Sequence, residues 1–461
     1  MDLNPPIQPL RKSRALLLAL GAAACFHAAY STPCSFLIFG YVICLVQLAR
    51  LQPARLAFYA AFGTGLLCFG PQLEFFWRIF GPGAIFLWAV LATWVALFVV
   101  LTHVSIMRLG AVRTALLAPF LWTGLEYFRS ELYYLRFSWL NVGFALGNSL
   151  LAVPFHVVGV YGIGFIAAFF AAWALSAPLK RILLGAIVAV GILWLISTIP
   201  GEISKPNLHV AGVQMEFPSE KEVVANLDRT LAQCPAAQLF MLCEYTFDGP
   251  VPDEIKVWRR THHTYLIAGG KDPTPDGDYY DTAFVIGPDG SVLFKQAKSV
   301  PIQFFEDWLP AREQKVWDSP WGKIGICICY DFSYSRVTDR LVRLGARALI
   351  IPTMDVEAWG RHEHELHERV ALVRAVEYDI PVFRVGSSGI SQLVDHRGNE
   401  TATAPFVGKD AIISGSMTIT PGPSRLPLDR YLAPFSVAVT AAFMGWLAVV
   451  SFLSPRSKKT V

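Results

Sequence analysis

The chain has 461 residues, of which 54% are hydrophobic and only 16% charged, and its mean hydropathy is +0.44. That is too apolar for a soluble enzyme of this length, so a substantial part belongs in a membrane. A net charge of +4, spread over loops and gathered in no patch, argues against a nucleic-acid partner. The eight cysteines (25, 34, 44, 68, 234, 243, 327 and 329) form no CxxC pair and no metal-ligand spacing. They are expected unpaired, with no metal bound.

From the N-terminus, seven apolar stretches precede residue 200, near 14–31, 33–49, 55–72, 83–106, 111–127, 150–176 and 181–199. Each can cross a hydrocarbon layer of roughly 30 Å. The first continues into further apolar sequence, which reads as a membrane anchor and not as a cleavable signal. An eighth stretch runs from Tyr431 to Leu453. With a cytoplasmic N-terminus, the inner loops carry Arg11, Lys12 and Arg14, then Arg50 and Arg55, Arg108 and Arg113, and Lys180 and Arg181, and the tail adds Arg456, Lys458 and Lys459. The outer loops carry only Arg78, Arg129 and Arg136. Lysine and arginine resist translocation, so residues 200–430 are expected on the outer, periplasmic face of a bacterial cytoplasmic (inner) membrane. Glu126 and His156 lie in or near spans, where polar groups are costly and often functional.

Residues 205–425 have a different texture. Short apolar runs (208–213, 238–242, 265–268, 283–286, 324–329, 348–351, 382–385 and 390–394) alternate with helix-like stretches at 219–233, 335–344 and 361–378. Strands that are uniformly apolar and bounded by Gly or Pro predict a buried sheet in a layered α/β domain. The expected organisation is a multi-span α-helical membrane domain over 1–204 and an extracytoplasmic α/β domain over 205–425. A transmembrane helix and basic cytoplasmic tail follow over 426–461.

Three places in the α/β domain carry residues suited to nucleophilic catalysis, which needs a nucleophile, a base and a charge beside the oxyanion. The strand predicted over Ile324–Cys329 gives way to a helix near Ser335, and a cysteine at such a turn can be exposed and lowered in pKa. Cys327 and Cys329 could equally be small apolar strand residues. Glu244 ends the run Leu239-Phe240-Met241-Leu242-Cys243 and is either a solvated loop residue or a site acid/base. Lys298 follows an Asp-Gly turn, where Lys295 is nearly as good a candidate. Glu306 sits in Phe304-Phe305-Glu306-Asp307-Trp308-Leu309-Pro310, an aromatic loop able to lie on lipid or cover a pocket. The cluster His362-Glu363-His364-Glu365-Leu366-His367 lacks the HExxH spacing and is expected to be a solvated helix face.

Taken together, Leu242-Cys243-Glu244, Tyr280-Asp281-Thr282-Ala283 before Gly287-Pro288-Asp289-Gly290, Lys298, Cys329-Tyr330-Asp331, Arg374-Ala375-Val376-Glu377 and Phe383–Ser391 resemble the nitrilase superfamily of carbon–nitrogen hydrolases. That resemblance implies a four-layer αββα sandwich and a Glu-Lys-Cys triad. Phe137-Ser138-Trp139-Leu140 and Gly159-Val160-Tyr161-Gly162 extend it to the bacterial apolipoprotein N-acyltransferases. In that family such a domain sits between seven membrane spans and one.

Carried over, the resemblance makes Cys329 the nucleophile, Glu244 the general base and Lys298 the cation beside the tetrahedral intermediate. The Tyr330 N–H becomes an oxyanion donor, with Glu306 and Asp331 as supporting acids. It implies no cofactor, a phospholipid acyl donor, a diacylglyceryl lipoprotein acceptor and a monomer in membrane lipid. The same triad would serve a membrane-anchored amidase or nitrilase, or an acyltransferase with another amine acceptor. The sequence departs from the family's pattern at Cys243, at Asp331, in lacking a tryptophan near Lys221, and at Met354-Asp355-Val356-Glu357-Ala358-Trp359-Gly360.

Overall fold

The computed structural model describes residues 8–147, 154–175, 185, 191, 207–305, 309–419 and 425–453. Among these, four helical stretches are long and apolar enough to cross a membrane: Lys12–Ser31, Gly83–Leu132, Phe155–Trp173 and Asp429–Leu453. Helices Ile38–Leu48 and Ala54–Gln72 pack with them. The span expected at 181–199 lies outside the described residues.

The helix Gly83–Tyr127 is broken at Gly110, where φ is +78°. Ser105 and Thr114 hydroxyls are 2.9 Å apart, and the Phe98 ring meets Trp122 edge-on at 4.9 Å. In a straight helix Ser105 and Thr114 would stand roughly 13 Å apart along the axis. The chain therefore reverses at Gly110, a conformation open to glycine at little cost. The stretches expected at 83–106 and 111–127 are two antiparallel arms.

Among the described residues the α/β domain has twelve strands: β1 (Leu208–Val213), β2 (Leu239–Met241), β3 (Tyr265–Pro273), β4 (Tyr279–Ile286), β5 (Val292–Ala297), β6 (Val316–Ser319), β7 (Gly322–Ile326), β8 (Ala348–Thr353), β9 (Val382–Gly386), β10 (Ser391–Val394), β11 (Glu400–Ala404) and β12 (Ile412–Met417). They form two six-stranded sheets, ordered β12-β1-β2-β3-β4-β5 and β11-β10-β9-β8-β7-β6. The central pairs β1–β2, β2–β3, β7–β8 and β8–β9 are parallel.

Uniformly apolar strands are what a sheet covered on both faces requires. Along β1 and β2, Val210, Leu239 and Met241 join the core shared with the second sheet. The alternate residues Ala211, Phe240 and Leu242 join a second core under helices Glu220–Gln233 and Asp253–His262. Period-two alternation thus builds the four layers of an αββα sandwich.

Two expectations need correction. Strand β7 ends at Ile326, short of Cys329, because the chain leaves the ladder into a 3-10 turn over Cys329–Ser333. The His-rich segment is not a solvated face. Glu363, His364 and His367 are buried, since helix Arg361–Tyr378 lies between the second sheet and the membrane helices.

Candidate active site

The parallel strands β2, β7 and β8 all run toward one end of the sandwich, and the candidate residues lie just beyond their carboxyl ends. Such ends leave loops free to converge while the sheet holds them. Glu244 follows β2, Cys329 follows β7, and Met354 and Asp355 follow β8. Lys298 follows β5, held by its backbone N–H bond to the Asp281 carbonyl at 2.8 Å.

Glu244, Lys298 and Cys329 are brought together and are each 3% exposed or less. Glu244 Oε1 accepts from Lys298 Nζ at 2.8 Å, and Oε2 accepts from the Met354 N–H at 2.7 Å. The Met354 carbonyl lies 3.9 Å from Cys329 Sγ, so one peptide segment touches both groups. Asp281, also buried, places a carboxylate oxygen 3.7 Å from Lys298 Nζ. The rival Lys295 is half-exposed and pairs with Asp272.

Cys329 and Tyr245, the residue after Glu244, both have φ of +49°. Non-glycine residues adopt this left-handed region at a cost of roughly 1–3 kcal/mol, and such strain gathers at working sites. The sequence left open an exposed thiol of lowered pKa and a small buried apolar residue. The structure buries the thiol, and burial followed by the Glu244 charge pushes it well above its ordinary value, against the pull of Lys298. A thiol that rests protonated needs a base, and Glu244 lies in its field.

Asp331 accepts from the Ser299 N–H at 2.8 Å and the Val300 N–H at 2.6 Å, tying the turn after Cys329 to the lysine loop. Burial pushes its carboxyl up to about 6 against those N–H groups and Lys298. The Tyr330 ring is packed edge-on between Trp139 and Tyr334. Glu306 lies outside the described residues.

The membrane half reaches into this site. Trp139 Nε1–H donates to Ser333 Oγ at 2.8 Å, and the Ser335 N–H donates to Glu131 at 2.8 Å. Both serines lie a few residues beyond Cys329. An apolar cavity enclosing about 760 Å³ of space, its open mouth included, runs between the halves. Phe75, Phe76, Phe80 and Trp139 line it from the membrane side, and Phe304, Phe305, Tyr330, Trp359 and Glu363 from the other. Phe80 meets both Phe304 and Phe305 edge-on at 5.9 Å, so the aromatic loop leans on a membrane-domain helix.

Asp281 and Asp355 were missed as site residues in the sequence. Asp355 is the first carboxylate after the apolar run 348–351, as Glu244 is after its own, a signal that could have found it. Asp281 stands mid-motif, and only the fold shows it facing Lys298.

The two halves match two known family models. Residues 17–173 match the apolipoprotein N-acyltransferase N-terminal domain, and residues 229–425 match the carbon–nitrogen hydrolase family. The second half is thus a carbon–nitrogen hydrolase domain, and the protein is an enzyme of that superfamily. An apolipoprotein N-acyltransferase from Geobacter metallireducens is 25% identical over 401 residues, covering 74% of each chain. One from Shewanella oneidensis is 24% identical over 497 residues, covering 90% of this chain and 93% of that one. An amidase from Nesterenkonia sp. superposes with a TM-score of 0.41 at 17% identity, over 47% of this chain and 92% of that one. With both domains in the same order along one chain, this protein belongs to the apolipoprotein N-acyltransferase family.

Proposed function

We propose that the protein moves a fatty acyl chain from a phospholipid, through a thioester on Cys329, to the α-amino group of an S-diacylglyceryl-cysteine lipoprotein. The observation that carries this reading is the apolar cavity between the membrane helices and the carbon–nitrogen hydrolase domain, with Tyr330, the neighbour of Cys329, in its wall. A small-amide hydrolase has no use for an aromatic entrance shared with membrane helices. The names of the relatives support the same activity.

In the first half-reaction Glu244 takes the thiol proton as Cys329 Sγ attacks the ester carbonyl. Lys298 Nζ and the Tyr330 N–H stabilise the oxyanion, and the Glu244 proton leaves with the lysophospholipid hydroxyl. In the second, a neutral amine attacks the thioester, loses a proton to Glu244, and the thiolate leaves by recovering it. A thioester splits one difficult transfer into two easier ones. Asp331 ties the turn after Cys329 to the lysine loop, and Glu306 is proposed as a second supporting acid. The domain limits proposed are 1–204, 205–425 and 426–461, in a monomer of the bacterial inner membrane. The site then faces the periplasm, where both lipid substrates arrive laterally.

The test is incubation of the purified protein with phospholipid and a synthetic S-diacylglyceryl-cysteine peptide. N-acylated peptide, formed by the parent and lost in Cys329→Ala, is the expected result. An unmodified peptide alongside hydrolysis of small amides would overturn the reading.

A further inference from the structure

A buried polar cluster behind the cavity wall takes no part in the two half-reactions above. His367, on helix Arg361–Tyr378, points Nδ1 at the two carboxylate oxygens of Asp355, at 2.9 and 3.1 Å. Arg384 Nη2, which can only donate, also lies 3.1 Å from Nδ1, but Asp355 offers that atom two acceptor oxygens and the shorter contact, so the ring proton sits on Nδ1 and the lone pair on Nε2. Arg384, paired with the same carboxylate and 3.1 Å from Nδ1, keeps Asp355 ionised. His367 Nε2 is buried without a hydrogen-bond partner among the described residues, and so is Glu363 Oε2. Glu363, one turn earlier, lines the cavity. His364 Nδ1 stands 3.2 Å from Glu363 Oε2 but faces the Gly360 carbonyl at 3.0 Å. One ligand atom from each of Asp355, Glu363 and His367 lies within 4.8 Å of the others. Trp139 stacks on the His367 ring at 4.7 Å and lines the cavity beside Glu363.

We propose that Glu363, His367 and Asp355 form a proton relay that removes the extra proton from the acceptor's α-ammonium group before it attacks the thioester. This rests on the acyl-transfer reading. An α-amino group has a pKa of about 7.7–8.0, so it arrives largely as ammonium, which has no lone pair. Glu244 is already committed to one proton, taken from the attacking amine and returned to the thiolate. A second acceptor is therefore needed.

In the relay the ammonium proton passes to one oxygen of the neutral Glu363 carboxyl as the proton on the other passes to His367 Nε2. Glu363 ends as it began, the amine is neutral, and the imidazolium rests against Asp355 until product release returns the proton to water. Burial, then the Asp355 charge, pushes the Glu363 carboxyl well above its ordinary range, which supplies the starting proton. Burial also lowers His367, and the same loss of water lowers an ammonium in an apolar cavity. The charged and titratable groups facing His367 are Asp355, Arg384, Glu363 and His364. A divalent cation in this cluster would sit against the Arg384 guanidinium, which already neutralises Asp355, so proton transfer is the better use of these groups.

The experiment follows the two half-reactions separately in the full-length protein, with Glu363→Gln and His367→Asn. Intact mass measures thioester formation from phospholipid, and the S-diacylglyceryl-cysteine peptide measures transfer. The expected result is parental thioester formation with transfer at pH 7 slowed about 10-fold, the factor by which an amine of pKa about 8 is short of its neutral form there. The deficit closes above about pH 9, where the amine is already neutral. Because Glu363→Gln preserves shape, it carries the test if His367→Asn does not fold. Unchanged transfer in the variants, or a deficit equal at every pH, overturns the relay alone. Loss of parental transfer in EDTA, restored by zinc, overturns it in favour of a metal site. A parent that forms no thioester overturns the acyl-transfer reading, and the relay with it.

Discussion

Gly269→Ala probes the geometry of the candidate base without touching an ionisable group. Gly269 lies in β3, beside the loop that carries Glu244. A Cβ added there would stand 2.5 Å from Glu244 Cα, 2.6 Å from the Cys243 carbonyl oxygen and 2.8 Å from the Tyr245 nitrogen, where ordinary contact begins at 3.4 Å. All three are backbone atoms, so no side chain can swing aside, and the loop must retreat by close to 1 Å. Glu244 holds Lys298 at 2.8 Å and the Met354 N–H at 2.7 Å. A shift of that size takes both bonds beyond hydrogen-bonding range.

Forcing extra volume into a packed core costs about 1–3 kcal/mol, and misplacing a reacting group by about 1 Å costs on the order of 10²-fold in rate. Thermal melting and the rate of acyl loading on Cys329 read the two effects. Gly249→Ala is the control, because a Cβ there meets nothing within 4 Å, and it should stay within about 0.5 kcal/mol of the parent. If Gly269→Ala melts and loads like the parent, β3 does not brace Glu244.

Other perturbations test other parts of the account. Arg430 holds Asp339 at 2.8 Å, Glu377 at 3.0 Å and Asp429 at 2.7 Å in a buried cluster joining the last helix to the α/β domain. Arg430→Met strands those carboxylates and should cost about 3–5 kcal/mol, read as a lower melting temperature; an unchanged one would show that the cluster does not join the halves. Burial, then Glu400, pushes the Glu368 carboxyl up to about 7. Above its ordinary 4.5 and up to that value the folded protein holds more protons than the unfolded chain, so the contribution of Glu368 is lost as pH rises through 7. Glu368→Gln should therefore gain in melting temperature over the parent between pH 5 and pH 8, and a pH-independent gap would refute this. Phe304 is 66% exposed, so Phe304→Ser should slow acyl loading from phospholipid and leave melting unchanged; a large melting loss would make the loop a packing element instead.

Much of this was legible because the chemistry and the sheet leave strong local marks. Apolar runs ended by Glu244 and Cys329 stand out in a chain, and so do spans such as Tyr431–Leu453. The edge strands were not seen: β5, β6, β11 and β12 are mostly exposed or half-buried, so they lack the uniformly apolar runs that mark the central strands. Lys298 could not be told from Lys295 by sequence, since only the fold buries one and leaves the other on Asp272. The His-rich helix was misread because polar residues usually mark a wet face. Here they are buried between two domains, with His367 Nδ1 held by Asp355 and His364 by backbone carbonyls. The sequence left the exposure of the Cys329 thiol open, and in the fold burial outweighs the nearby lysine.

The claim that Cys329 carries the acyl chain is tested most directly by peptide mass spectrometry of the purified protein after incubation with phospholipid. The account predicts one fatty acyl mass on the peptide containing Cys329, released by hydroxylamine and missing from Cys329→Ala. An unmodified Cys329 in a protein that hydrolyses small amides would contradict it.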